Sequence, residues 1–281
     1  MLFRSNFQKN KELNIESNVP FGEGGAGTFS DGKLTTNVKE PLINWILDEF
    51  VAHGSPKEIL YEAKPHIGTD YLAKTVKEIR EEILKLGGEI HFNTKFTSVV
   101  KEENELRVIC DGKEFLTSHL LLGMGHSSRD TFKMLHEIGV QMEPKAFSMG
   151  VRIEHRRVLI NRSQYGDYAD KLPAADYKMA AHLDNGRSVY TFCMCPGGIV
   201  IPSATEKGTI VTNGMSLRNR NERNSNSAIL VNIETRDFYK DSPLDGLDYQ
   251  EKYEKAAFEI SGDYKAPANL VREFLNGRVA K

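Results

Sequence analysis

No run of apolar residues in this chain approaches the roughly twenty needed to span a bilayer, so the sequence offers no transmembrane helix. No apolar stretch follows the N-terminus in the way a secretory signal would require. Cysteine is scarce, with Cys110, Cys193 and Cys195 the only three in 281 residues. Three thiols make no disulfide framework, and their scarcity favours a reducing cytoplasm. Nor does one sign of charge dominate. Lys and Arg number 37 against 39 Asp and Glu, a net charge of −2. That balance gives no electrostatic support to a nucleic-acid or acidic-membrane role. The remainder, 40% hydrophobic and 27% charged, suits a soluble globular protein of one large or two ordinary domains.

Against these absences stands a local abundance. Residues 21–33 read F-G-E-G-G-A-G-T-F-S-D-G-K, with Gly22, Gly24, Gly25, Gly27 and Gly32. Glycine is costly in a regular element and useful where backbone must touch a ligand or take positive φ. Gly22, Gly24 and Gly27 also fit the G-x-G-x-x-G spacing of a dinucleotide-binding turn, which requires a strand before it and a helix after it. The preceding N-I-E-S-N-V-P is polar and carries Pro20, and the following T-F-S-D-G-K-L-T-T-N has no helical period. The spacing is therefore read as a loop, able to offer backbone N–H groups to phosphates and polar groups to a ring system. A mobile glycine loop is the plain alternative.

Around this loop the pattern is mixed α/β. Residues 41–51 show helical spacing behind Pro41, and residues 57–62 form a helical turn. Residues 69–86 read as a helix capped by Thr69, with Leu72, Val76, Ile79, Ile83 and Leu86 as its buried stripe and Gly87-Gly88 as its stop. Strands at 89–92, 97–101, 105–110 and 113–118 follow, the last two turned at Asp111-Gly112. His119-Leu120-Leu121-Leu122 reads as a short buried strand, and Gly123-Met124-Gly125 as a tight turn into a helix ending near Ile138 and closed by Gly139. Ser127 or Ser128 is its expected cap, with N–H groups aimed at an anionic ligand or simply a strand-to-helix connection. A second dinucleotide domain starting at His119 would need further βαβ units, and residues 140–211 instead read as mostly antiparallel sheet, with a hairpin at Asp184-Asn185-Gly186. Residues 218–226 read as a polar loop, 228–233 as a strand, and 249–260 and 267–275 as helices. Residues 1–16 are expected to be irregular. Residues 1–5 look extraneous, and both ends look cut from a longer protein.

F-G-E-G-G-A-G-T-F-S-D-G-K-L-T-T, P-H-I-G-T-D-Y-L, L-L-G-M-G-H-S-S-R-D-T-F, N-R-S-Q-Y-G, C-P-G-G and V-T-N-G-M-S occur in that order. Together they resemble a bacterial family of FAD-dependent dehydrogenases, itself similar to the glutathione-reductase-type flavoproteins. The resemblance runs from about Ser17 to the C-terminus. It implies a partial FAD-binding domain over residues 1–139, lacking the first βαβ unit, and a sheet-rich substrate domain with C-terminal helices over residues 140–281. It also implies FAD as cofactor, contacted by Gly22, Glu23, Gly24, Gly25, Ala26, Gly27, Thr28, Ser30, Asp31, Gly32 and Lys33, by Lys95 and Phe96 beside the adenine, and by Gly123, Gly125, His126, Ser127 and Arg129. Arg156-Arg157 departs from the family pattern, which has Pro and then a polar residue there.

The implied activity is oxidation of a small-molecule substrate by hydride transfer to the flavin. A non-catalytic FAD- or nucleotide-binding protein and a flavin-dependent RNA-modifying enzyme are the alternatives, the latter disfavoured by the −2 charge. Neither a metal, a nucleic-acid partner nor a membrane is expected. Without the missing pyrophosphate-binding unit, the chain is expected to bind FAD weakly or not at all. Lys33 is the candidate for tuning the reduced flavin through its cation, with a phosphate or surface lysine as the alternative. Asp31 orients it, bonds a ribityl hydroxyl, or makes a turn. His66, His126 and His155 suit acid–base work by type, though a structural role is commoner. Cys193 and Cys195 lack the partners of a zinc site and the C-x-x-C of thiol oxidoreductases, so they read as buried strand cysteines.

Overall fold

Among the described residues every strand pairing is antiparallel, and the strands form three separate sheets. The computed structural model describes residues 7, 12–36 and 38–279. The expectation for residues 1–5, and most of that for 1–16, lies outside them; residues 12–16 are irregular.

The first sheet is a meander of β1 (Phe96–Lys101), β2 (Leu106–Cys110) and β3 (Lys113–Thr117). Its last turn is made by Asp111 and Gly112, both at positive φ. The second sheet runs β4 (Phe147–Arg156), β9 (Asn224–Ile233), β6 (Ser188–Cys195), β5 (Ala180–His182) in space. The β5–β6 hairpin turns at the Asp184-Asn185-Gly186 signal, with Gly186 at φ 80°. A Cβ on Gly150 of β4 would overlap the Ile229 carbonyl of β9, so glycine permits that close pairing. The third sheet is the hairpin of β7 (Ile199–Ser203) and β8 (Val211–Met215).

The helices follow the apolar spacing: α1 (Leu42–Ala52), α2 (Thr69–Lys85), α3 (Arg129–Glu137), α4 (Arg157–Tyr165), a single turn α5 (Thr235–Phe238), α6 (Asp245–Ser261) and the short α7 (Val271–Leu275). Short 3₁₀ turns occupy Gly25–Phe29 and Lys57–Leu60. A small apolar core of Phe7, Val19, Ile201 and Ala204 joins the chain's start to the β7–β8 hairpin. Leu13, Phe29, Met215 and Tyr264 pack around it.

Several expectations fail, some for want of a partner and others because a different partner was found. Residues 89–92 and 119–122 are not strands, because no neighbouring strand among the described residues bonds their backbone. Leu121 is 95% exposed rather than buried. The 140–211 region, expected to be mostly antiparallel sheet, also contains the helix α4. Residues 224–226 belong to β9, and Ser225 and Asn226 are wholly buried, not in a solvated loop. Thr69 does not cap α2; its hydroxyl donates to the Ser30 carbonyl, 2.5 Å away, and Gly68 stands at the cap. Ser127 bonds its neighbour His126 instead of the helix, and the cap residue of α3 is Ser128, whose hydroxyl donates back to Met124.

The exposed surface is 18426 Å². A compact monomer of this mass would expose about 12,000 Å². The excess is apolar in part: α1 buries no residue, and Leu42 and Trp45 are mostly exposed.

Candidate functional site

The glycine loop is fastened at its far end by charge. Gly25–Phe29 curls into one 3₁₀ turn, with Gly24 left-handed before it and Thr28 buried. Ser30 turns the chain by donating to the Gly27 carbonyl and accepting from the Gly32 amide. Gly32 holds φ 66°, and a Cβ there would press on Leu72 of α2 at 2.9 Å. Asp31, only 1% exposed, accepts from Arg220 Nε at 3.0 Å and pairs through its other oxygen with Arg220 Nη2. Lys33 Nζ lies 3.7 Å from Asp31 and donates to the Met194 carbonyl of β6. A buried carboxylate between two cations is the arrangement a desolvated charge requires.

The residues that meet this loop come from the sheet-rich half. Arg152 of β4 donates to Asn226 Oδ1 of β9 at 2.7 Å and reaches the Cys193 carbonyl at 3.4 Å. Gly214 of β8 lies over this cluster, since a Cβ there would sit within 2.7 Å of Arg152, Asn226 and Cys195. Three cations, Lys33, Arg152 and Arg220, thus stand near one carboxylate, Asp31. Cys193, half-buried, has its thiol pulled down to about 6 by a hydrogen bond from the Cys195 thiol and by the charges of Lys33 and Arg152, against burial and Asp31.

Beside the cluster, the 216–223 loop clamps His66. Arg218 pairs with Glu62 at 2.7 Å and donates to the His66 carbonyl at 2.5 Å. His66 Nε2 donates to the Arg218 carbonyl at 3.0 Å. Burial first, then Arg220, lowers the His66 pKa, so it sits neutral between cations. Its ring is spent on structure. His155 likewise has its pKa lowered by burial; its Nε2 is 2.8 Å from the Tyr177 hydroxyl, and its Nδ1 has no partner.

The second bend is different. Gly123 and Gly125 have open space where a Cβ would stand, and His126 is exposed. Arg129 is buried and donates to Glu206 at 2.8 Å and Glu254 at 2.7 Å. Burial opposes its charge, but the two glutamates raise its pKa overall. Lys95 pairs with Asp130 at 2.7 Å and Glu16 at 2.8 Å. Both cations therefore have carboxylate partners. Phe96 opens β1, half-buried, and Glu23 pairs with Arg80 of α2 at 3.0 Å. The two bends share one support: Asn213 of β8 donates to the Phe29 carbonyl, and Glu206, which binds Arg129, lies between β7 and β8.

The loop leaves room for a nucleotide-bearing cofactor. A Cβ on Gly27 would meet nothing within 4 Å, and one on Gly25 only the Pro20 carbonyl at 3.8 Å. The Thr28 hydroxyl, buried at the same turn, has no hydrogen-bond partner. Open backbone beside an unpaired hydroxyl suits a ligand that approaches closely. Two hollows, one lined by residues 102–105 and Ser118 and one beside α4, include no residue of the loop.

Arg152 carries no sign in the sequence, Arg220 and Asn226 read as part of a polar loop, and Cys193 reads as a buried strand cysteine, whereas it is half-buried at a bulge. The only signal was their clustering beside glycine motifs, C-P-G-G and V-T-N-G-M-S, whose glycines permit the close packing. Among the described residues no helix is long and apolar enough to cross a membrane.

Comparison with known proteins meets this geometry at β4. Residues 146–281 match a family model described as "FAD-dependent protein, C-terminal domain-like", starting one residue before that strand. The chain is also 49% identical over 279 residues to an "Uncharacterized protein" of Clostridium beijerinckii (strain ATCC 51743 / NCIMB 8052), covering 98% of this chain and 52% of that relative. The chain thus spans about half the length of the curated relative it matches. The match of the sheet-rich half points to a function related to FAD.

Proposed function

We propose that the chain is the cofactor- and substrate-facing part of an FAD-dependent oxidoreductase of glutathione-reductase type. The observation that carries this reading is the glycine loop, open at Gly25 and Gly27, fastened by Asp31 and Lys33 to the half that matches an FAD-dependent family. When bound, the flavin supplies two-electron chemistry through hydride transfer at N5.

The chain's residues bind and orient. Gly22, Glu23, Gly24, Gly25, Ala26, Gly27 and Thr28 present main chain and one free hydroxyl to the cofactor. Ser30 and Gly32 hold the bend. Lys33 sets a positive charge at its end, held in place by Asp31 and the Met194 carbonyl. Gly123, Gly125, His126 and Ser127 form a second contact. Lys95 and Arg129 support it through their ion pairs with Asp130 and Glu254, and Phe96 opens β1 next to Lys95. The sheet of β4, β9, β6 and β5 frames the small-molecule substrate.

Titration of FAD into the 281-residue chain, followed by flavin fluorescence, tests the reading. Saturable quenching with Kd of roughly 10⁻⁵–10⁻⁴ M is expected. Gly27→Asp, which places a carboxylate on the open side, weakens it about tenfold, or about 1.4 kcal/mol. No saturation at any concentration, or no effect of Gly27→Asp, would remove the site. Lys33→Met lowers the reduction potential of the bound flavin, because the reduced anionic ring loses a cation. Anaerobic bleaching of the bound flavin by candidate substrates separates an oxidoreductase from a carrier.

A further inference from the structure

β6 does not end as a regular strand. Phe192 pairs with Ala228 and Cys195 with Asn226, so three residues advance on β6 while two advance on β9. The bulge is taken up at Cys193, whose φ of 46° lies in the left-handed region that non-glycine residues rarely adopt. Strain of this kind costs on the order of 1–3 kcal/mol and persists where surrounding structure fixes it. Here Gly197 and the β7–β8 hairpin fix it: the Gly197 amide donates to Ser225 of β9 at 2.9 Å, and Gly214 covers Cys195.

The bulge turns Cys195 back on Cys193. In a straight strand, residues two apart lie about 6.6 Å from Cα to Cα, near the upper limit for a disulfide. The bent segment instead sets the Cys195 thiol 3.3 Å from the Cys193 carbonyl. The two cysteines also differ in access. Cys193 is half-buried beside the exposed Phe192, whereas Cys195 is completely buried beneath it. The charged groups facing Cys193 are Lys33 and Asp31 from the glycine loop and Arg152 from β4. Cations outnumber the carboxylate, which is itself paired with Arg220, so a thiolate at Cys193 is favoured while Cys195 stays protonated.

We propose that Cys193 and Cys195 are a redox-active thiol pair that exchanges with low-molecular-weight disulfides, Cys193 as the attacking thiolate and Cys195 as the resolving thiol. Cys193 attacks one sulfur of R–S–S–R, forming a mixed disulfide and releasing one thiolate RS⁻. The Cys195 thiol passes its proton to that thiolate or to water. Its sulfur then attacks Cys193, closing the Cys193–Cys195 disulfide and releasing the second RS⁻. Two electrons pass from the pair to the small disulfide, which leaves as two thiols. This site stands independently of the flavin reading, for no step uses the cofactor.

Bis(2-hydroxyethyl) disulfide is the probe, added anaerobically to the reduced 281-residue chain. Samples are quenched in acid, alkylated with N-ethylmaleimide and mapped by mass spectrometry. The peptide holding Cys193 and Cys195 is expected to lose alkylation at both sulfurs together and to be about 2 Da lighter than its dithiol form, as loss of two hydrogens requires. Cys195→Ser is expected to trap the probe on Cys193. At pH 6.5 a thiol titrating near 6 is about 75-fold more ionised than one at 8.5, and its lower nucleophilicity takes back about 13-fold. Cys193 should therefore react roughly sixfold faster than an ordinary thiol, and Cys193→Ser should remove that fast phase. Cys110, whose thiol burial and Asp111 push up, is the slow internal reference. The unsubstituted chain gives its own answer: its rate should rise with a midpoint near 6. A midpoint near the free-thiol value, both cysteines still alkylated when Cys110 has reacted, or a probe adduct on Cys195 would each overturn the pair.

Discussion

Two bends in this chain carry glycines flanked by charges, and the fold treats them in opposite ways. The loop at Gly22–Lys33 is drawn into the sheet-rich half, with Asp31 at 1% exposure between Arg220 and Lys33. The turn at Gly123–Gly125 has open space where each glycine Cβ would stand, and Leu121 just before it is 95% exposed. The difference does not come from glycine. It comes from what the following side chains find. Asp31 meets an arginine supplied from 189 positions along the chain, and the hairpin beside it closes the gap. Leu120, Leu121 and Leu122 meet no strand. A glycine-rich segment therefore reports freedom of backbone, and a distant partner decides whether that freedom is used to pack or to remain open.

Removing the partner of the first bend should break the contrast most. Asp31→Ala leaves Arg220 without its carboxylate in a buried setting and is expected to cost about 3 kcal/mol, measured as a fall in the urea midpoint. Overpacking the same region comes next. Gly214→Ala pushes a methyl into Arg152, Asn226 and Cys195, which should cost about 1–3 kcal/mol by the same measurement. It should also shift the thiol reactivity of Cys193, since Arg152 moves with it.

A smaller effect is set by protons. His66 has a folded pKa below its ordinary 6.5 because it is buried beside Arg220 and Arg218. Between the lowered and the ordinary pKa the unfolded chain binds more protons, so stability falls as pH drops below about 6.5. His66→Gln should flatten that part of the pH profile, seen by comparing unfolding midpoints at pH 5.5 and 7.5; an unchanged slope would mean the imidazole is not held neutral. The smallest effect is expected at the second bend. Leu121→Ser should change stability by less than about 0.5 kcal/mol, as for an exposed side chain. A loss of several kcal/mol would show that this segment is buried and would erase the contrast.

Several elements were legible because their causes are local. The span of α2, the Asp111-Gly112 and Asp184-Asn185-Gly186 turns and the meander all arise from residues within a few positions of one another. The buried stripe expected of α2 fails: Leu72, Val76 and Ile79 are only half-buried and Ile83 and Leu86 are exposed, because among the described residues no element covers the helix's C-terminal end. Legibility failed where a partner was required. The strand expected at residues 119–122 depends on a neighbour the described chain does not provide. Thr69 and Ser127 do not cap, because their hydroxyls are turned to other partners, the Ser30 carbonyl and the His126 ring. α4 went unread because its apolar residues, Val158, Leu159 and Ile160, are consecutive and fit either period.

The site divides in the same way. Its glycines, and the pair of cysteines two apart, are plain in the sequence, because backbone freedom and spacing are properties of the residues themselves. The chain alone also fixes the modest net charge and the alternation that makes antiparallel strands. Which cations surround Asp31, and the difference in burial and acidity between Cys193 and Cys195, were decided by the tertiary structure. Electrostatic and hydrogen-bonding partners act over a few ångströms of space, and here they are recruited from a strand and a loop more than a hundred positions away along the chain.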